Sequence, residues 1–228
     1  MSADPPLRRR TVRSFVRRAG RVTDAQARAL QHEWPRFGLD YSSEPLALER
    51  LFGRTAACTL DIGFGNGEQL LNRARLEPHR NFLGVEVHRA GVGQLLNAAA
   101  TAGLGNLRLI IHDAVEVLQW QLQEDSLDEV QILFPDPWPK KRHHKRRLIQ
   151  PAFLALLASR LRPGGRLWLA TDWAPYALQM QEVIAADPHF SVTIAPIAEA
   201  TARVATRFEQ RGLRLGHQVT ELHYVRTA

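Results

Sequence analysis

Short apolar runs of strand length alternate with helix-length segments along most of this chain, and that alternation constrains the fold more than any other feature. Runs at 57–62, 81–87, 107–112, 127–134, 166–171, 190–194 and 218–225 read as seven strands. Between them, 66–75, 89–102, 114–121, 145–160 and 174–186 read as helices, the second stopped at Gly103. A strand, a helix and a further strand make a crossover, and crossovers set neighbouring strands parallel. The pattern predicts an α/β fold: a doubly wound, mainly parallel, seven-stranded sheet with helices on both faces. Pro163-Gly164-Gly165 turns the chain into the strand at 166. Upstream, Thr23 can cap a helix through Gln31, and 46–52 forms a short helix stopped at Gly53. At 228 residues, a single domain over 22–228 behind a flexible basic arm over 1–21 is the simplest organisation.

In open parallel sheets, ligands bind outside the carboxyl ends of the strands. The first strand ends in Leu60-Asp61-Ile62-Gly63-Phe64-Gly65-Asn66-Gly67-Glu68. Glycines at 63, 65 and 67 let the backbone turn tightly and approach a ligand. A dinucleotide fingerprint would need glycine at 68, where this chain has Glu68, and no Gly-Lys-Ser/Thr follows to make a P-loop. The loop therefore suits a ligand with no phosphate there. S-adenosylmethionine fits, with adenosine, a sulfonium and an α-amino group that Asp61 can serve. Glu86, at the second strand end, can accept both ribose hydroxyls, and Asp113, at the third, can receive the adenine amino group. Each acid alone could instead be a helix N-cap.

The fourth strand end is more distinctive. Phe134-Pro135-Asp136-Pro137-Trp138 sets one carboxylate between two prolines, which restrict its backbone. Lys140, Lys141, Arg142, His143, His144, Lys145, Arg146 and Arg147 follow. A fixed acid beside an aromatic ring and a cationic cluster suggests a site that handles a base on a polyanion. Asp172, after a later strand, is a second candidate for base recognition, with a helix N-cap as its alternative. His143-His144 does not make a metal site, because adjacent residues do not face one another and no acid or cysteine joins them at ligand spacing.

The charge distribution agrees. The net charge is +7, yet 1–21 and 140–147 each carry +6, leaving −5 on the rest. Two basic patches on a mildly acidic body point to nucleic acid. Phe15 and Val16 within the arginine-rich arm suggest that it folds over a ligand or onto RNA. The single cysteine, Cys58, excludes an internal disulfide framework and reads as a buried apolar residue of a cytoplasmic protein. No run approaches the roughly 20 apolar residues of a transmembrane helix, and no hydrophobic segment follows the early arginines to make a secretory signal.

With those residues in view, the chain resembles the bacterial tRNA (guanine-N7)-methyltransferases, the TrmB family of class I methyltransferases, from about Arg13 to Tyr224. The most specific matches are the 134–138 motif with its basic run ending Lys145-Arg146-Arg147, and Thr206-Arg207-Phe208-Glu209-Gln210-Arg211-Gly212 with Gly216-His217. The resemblance implies methyl transfer from S-adenosylmethionine to N7 of a guanine in the tRNA variable loop, without a metal. It implies that Asp61, Glu86, Asp113 and Asp136 contact or flank the cofactor. Lys140, Asp172 and Thr206, Arg207, Phe208 and Glu209 would contact substrate, and Arg142, His143, His144, Lys145, Arg146 and Arg147 would touch RNA. The family often has Glu at position 61 and His at position 139, where this chain has Asp61 and Pro139. No obligatory protein partner is evident in the sequence, and a monomer or homodimer is expected. Alternatives are a methyltransferase acting on another RNA or a small molecule, or a non-catalytic RNA-binding protein with the same fold.

Overall fold

The computed structural model describes residues 13–15, 21–193 and 218–227. In chain order the elements are α1 (Asp24–His32), α2 (Trp34–Phe37), β1 (Gly38–Leu39), α3 (Leu48–Phe52), β2 (Cys58–Ile62), α4 (Glu68–Leu76), β3 (Asn81–Val85), α5 (Arg89–Thr101) and β4 (Leu107–Ile110). There follow α6 (Ala114–Glu116), continued by a π-helical turn over Val117–Gln121, then β5 (Leu127–Leu133), a 3-10 helix over Lys141–Arg146, α7 (Pro151–Arg160), β6 (Leu161–Thr171), α8 (Ala174–Ala185), β7 (Phe190–Val192) and β8 (Thr220–Arg226).

The strands form one sheet in the order β1-β4-β3-β2-β5-β6-β8-β7. All pairs from β1 to β6 are parallel, and β8 runs antiparallel to both β6 and β7. The chain proceeds from β2 through β3 to β4, then returns to lay β5 on the other side of β2. The crevice between the carboxyl ends of β2 and β5 is therefore the topological switch point, where such sheets bind ligands.

Side chains alternate across the sheet. Cys58, Leu60, Ile62, Val130 and Ile132 face a core shared with α7, α8 and the π-helical turn. Leu70, Ala74, Phe82, Leu95, Leu107 and Leu109 build the opposite core beneath α1, α4 and α5. Local signals act as expected. Thr23 and Gln26 form a reciprocal capping box at α1, and Gly53 ends α3 in the left-handed conformation at φ 66°.

Three expectations need correction. The sheet has eight strands, not seven: β1 is two residues long, too short to leave an alternating pattern, and pairs Gly38 with Leu109 and Leu39 with Ile110. The helix expected over 145–160 begins only at Pro151. Proline is tolerated in a first helical turn and drives the preceding residue out of the helical region, and Gln150 is extended at φ −139°, ψ 158°. The strand expected from 166 is entered at Leu161. Its register jumps from Leu127↔Leu161 to Glu129↔Arg166, so the proline-glycine turn is a bulge within β6. The arm expected over 1–21 lies outside the described residues except at 13–15 and Arg21.

Candidate active site

The loop between β2 and α4 bends through three glycines at positive φ: Gly63 at 73°, Gly65 at 59° and Gly67 at 77°. A Cβ at Gly63 or Gly65 would meet nothing within 4 Å, so the loop borders open space on that side. The other side is tight, since a Cβ at Gly91 would lie 2.1 Å from the Gly65 carbonyl oxygen. The first turn of α5 thus supports the loop from behind, and the exposed backbone suits close approach by a flat ligand.

Glu86 ties that loop to β3. Its Oε2 accepts from Gly65 N–H at 2.9 Å, and its Oε1 accepts from Val87 and His88 N–H at 2.6 and 2.9 Å. A carboxylate has about four acceptor positions. Three are used here, leaving room for one donor at Oε2. The sequence predicts that Glu86 accepts both ribose hydroxyls; in the structure both of its oxygens already hold backbone N–H groups.

Asp61 is buried, on the opposite face of β2 from Leu60 and Ile62. Burial pushes its carboxyl up to about 7. A hydrogen bond from Gln131 and the positive charge of Arg73 oppose that rise, while Glu86 and Glu129 add to it. Arg73 is buried in a charged seam on the same face, donating to Glu77 at 2.8 Å and pairing with Glu129, which also accepts from Arg166 at 2.6 Å. The seam holds Glu129 below the usual carboxylate range despite its burial. The sequence reading missed Gln131 and Arg73. The available signal was two polar residues, Glu129 and Gln131, at alternate positions of the strand and so on one face of it.

Asp113 caps α6, accepting from Val115 N–H at 3.0 Å. Burial raises its carboxyl, while Arg13 and His112 oppose the rise. Beside it the Tyr41 and His112 rings stack at 3.6 Å, and His112 meets Glu116 at 2.5 Å. Both the capping and the ligand readings of Asp113 are compatible, because the cap uses only Oδ1.

The Pro135-Asp136-Pro137 turn is bracketed by two strained residues, Phe134 at φ 55° and Trp138 at φ 44°. Non-glycine residues seldom adopt this region, and such strain persists only where surrounding contacts enforce it. The contacts are visible. Phe134 N–H donates to Ala170 O at 2.8 Å. Trp138 Nε1 donates to Ser14 O at 3.0 Å, Arg146 lies 4.5 Å over the indole, and His143 meets its edge at 5.8 Å. Trp138 is thus half-buried, with its indole held by these three contacts. Asp136 is exposed at the tip.

The basic segment divides in two. Lys140, Lys141, Arg142 and Lys145 are exposed on or beside the 3-10 helix, and His143, His144 and Arg146 are half-buried. Burial and the surrounding cations lower the pKa of His143. Arg147 departs from the expected RNA contact. It is only 3% exposed, and its guanidinium donates to Pro137 O at 2.9 Å and to Pro175 O at 3.5 Å while covering the Tyr176 ring. Burial pushes the Tyr176 phenol up to about 12, and Asp136 is near enough to add to that.

Asp172 follows β6 but is not the cap of α8, which is Trp173 with no side-chain capping bond. Thr206, Arg207, Phe208 and Glu209 lie outside the described residues. Among the described residues, no three His, Cys, Asp or Glu side chains cluster as metal ligands, and no helix is long and apolar enough to cross a membrane.

The methyltransferase family model Methyltransf_4 matches residues 55–222. A tRNA (guanine-N(7)-)-methyltransferase of Halorhodospira halophila (strain DSM 244 / SL1) is 55% identical over 219 residues, spanning 94% of this chain and 95% of the relative. The chain belongs to the tRNA (guanine-N7)-methyltransferase family. Another such methyltransferase, from Alkalilimnicola ehrlichii (strain ATCC BAA-1101 / DSM 17681 / MLHE-1), is 51% identical over 226 residues, covering 97% of this chain and 95% of its own. The fold of this tRNA (guanine-N7)-methyltransferase family member is also that of the 16S rRNA methyltransferase KamB. The two match with a TM-score of 0.60 at 19% identity, over 81% of this chain and 96% of KamB.

Proposed function

We propose that the protein transfers a methyl group from S-adenosylmethionine to N7 of a guanine in the tRNA variable loop, forming 7-methylguanosine. One observation carries the reading: in a chain of this family, an open glycine cradle and the Asp136 turn with its cations share the switch-point crevice between β2 and β5. The cradle fits a cofactor without phosphate there, because Glu68 stands where a dinucleotide site needs glycine and no Gly-Lys-Ser/Thr follows.

When bound, S-adenosylmethionine supplies an electrophilic methyl group on a sulfonium. Guanine N7 carries an in-plane lone pair, so no base need remove a proton and no metal is called for. The residues have two tasks. Gly63, Gly65 and Gly67 admit the cofactor, Asp61 takes its amino acid end, Glu86 its ribose and Asp113 its adenine. Asp136 aligns the purine, and its negative charge stabilises the positive charge that develops at N7. Lys140 and Asp172 complete the guanine pocket. Thr206, Arg207, Phe208 and Glu209 join it by family resemblance. Arg142, His143, His144, Lys145 and Arg146 meet the tRNA backbone. Such a substrate puts the enzyme in the cytoplasm.

The test is transfer from labelled S-adenosylmethionine to unmodified tRNA, with the nucleosides separated after digestion. Label in 7-methylguanosine, lost when the variable-loop guanine is replaced by adenine, is the expected result. Label in another nucleoside overturns the N7 assignment, and no label in tRNA overturns the activity.

A further inference from the structure

Asp61 and Gln131 are register partners on the adjacent parallel strands β2 and β5. Their side chains therefore rise from the same face of the sheet, beneath α4. Gln131 is fully buried, and its Nε2 donates to Asp61 Oδ2 at 2.5 Å. On its other side, Gln131 Oε1 accepts from an Arg73 guanidinium nitrogen at 3.1 Å.

The chemistry of these groups gives the chain a direction. A guanidinium has donors only, so it can meet only the oxygen of the amide. Once Arg73 holds that oxygen, the amide nitrogen must face Asp61. Arg73 cannot swing away, because Glu77 and Glu129 hold it from either side. Were the amide reversed, its carbonyl would face a carboxylate, and only the protonated acid could bond to it.

We propose that Gln131 is a positioning residue for cofactor binding: it fixes the Asp61 carboxylate as an acceptor and leaves Oδ1 for the cationic amino end of S-adenosylmethionine, with Arg73 setting the direction of the amide. The inference rests on the reading that Asp61 serves that end of the cofactor. Four groups bear on Asp61 besides its own burial. Gln131 and Arg73 favour the ionised form, while Glu86 from the end of β3 and Glu129 from β5 oppose it. Removing the amide donor shifts the balance towards the neutral acid, which cannot pair with an ammonium group.

Gln131→Met tests this in the full chain, since methionine has similar volume and no amide. The measurement is equilibrium binding of S-adenosylhomocysteine, which has the same amino acid end, across pH. We expect the dissociation constant at pH 7 to rise about tenfold, as for loss of a hydrogen bond to a charged group. The pH midpoint of binding should move upward, while the KM for tRNA stays near the wild-type value. A lower melting temperature with an unmoved midpoint and unchanged affinity overturns the inference. Asp61→Asn separates the two levels: wild-type affinity in that variant overturns the reading of Asp61 itself, whatever Gln131 does. A readout on the unmutated protein guards against a variant that fails to fold. The side-chain amide resonances of Gln131 should titrate with the same midpoint as cofactor binding, and resonances that stay fixed overturn the proposal.

Discussion

The Arg147 guanidinium donates to the carbonyl of Pro137, one residue past Asp136, at 2.9 Å. The last arginine of the basic segment thus braces the turn that presents the carboxylate. It does so from a buried position against Tyr176. Arg147→Lys keeps the charge but loses the fork that spans two carbonyls. Turnover should fall about tenfold, in line with losing a buried charged hydrogen bond, while the salt dependence of tRNA binding stays unchanged. Measuring kcat and the salt slope together checks this, and a flattened slope would return Arg147 to the RNA surface.

The exposed cations should behave in the opposite way. Arg142→Ala with Lys145→Ala should weaken tRNA binding at low salt. The slope of log affinity against log salt should shrink by about one for each phosphate no longer neutralised. Turnover at saturating tRNA should stay near wild type. Filter binding between low and moderate salt gives the slope.

Asp136→Asn keeps the shape of the turn and removes the negative charge. Loss of a fixed charge at the reacting centre should lower turnover by about 100-fold, with little change in S-adenosylhomocysteine affinity or melting temperature. Single-turnover methylation at saturating tRNA and cofactor measures it. Full activity would remove Asp136 from the reaction.

Asp61 makes cofactor binding pH-dependent in a definite direction. Its free carboxyl is raised to about 7, chiefly by burial, so it is protonated below that value and ionised above it. An ammonium group favours the ionised form, so affinity should weaken as pH falls through 7. At pH 7, binding should release about half a proton from this group. Calorimetry in buffers of different ionisation enthalpy measures the release, and Asp61→Asn should abolish that part of it.

Alternation of strands and helices was legible because each buried strand leaves a continuous apolar run and each crossover needs helix length. The strand-end acids and the 134–138 motif were legible for the same reason, since strand ends mark where ligands bind. The two-residue β1 was not, because so short a strand has no period. The start of the helix expected over 145–160 was misplaced, although Pro151 marks it, because proline suits a first helical turn and not an interior one. Arg147 reads as one more cation in a run of cations. Only the packing of α8 against the turn distinguishes it from Lys145, which is exposed, and that packing joins segments far apart in sequence. Gln131 was similarly hidden, since nothing local to β5 shows that Arg73 and Asp61 stand on either side of it.

The strands at the margins of the sheet bear on the protein's behaviour in concentrated solution. Among the described residues, the order ends in β1, with two residues, and β7, with three. Unpaired strand edges are templates on which a second chain can add, and a long apolar edge invites aggregation. Here the apolar strands β2, β3 and β5 lie inside the sheet. Each of these three strands has a partner on both sides, so its apolar run offers no open backbone edge on which a second chain could add.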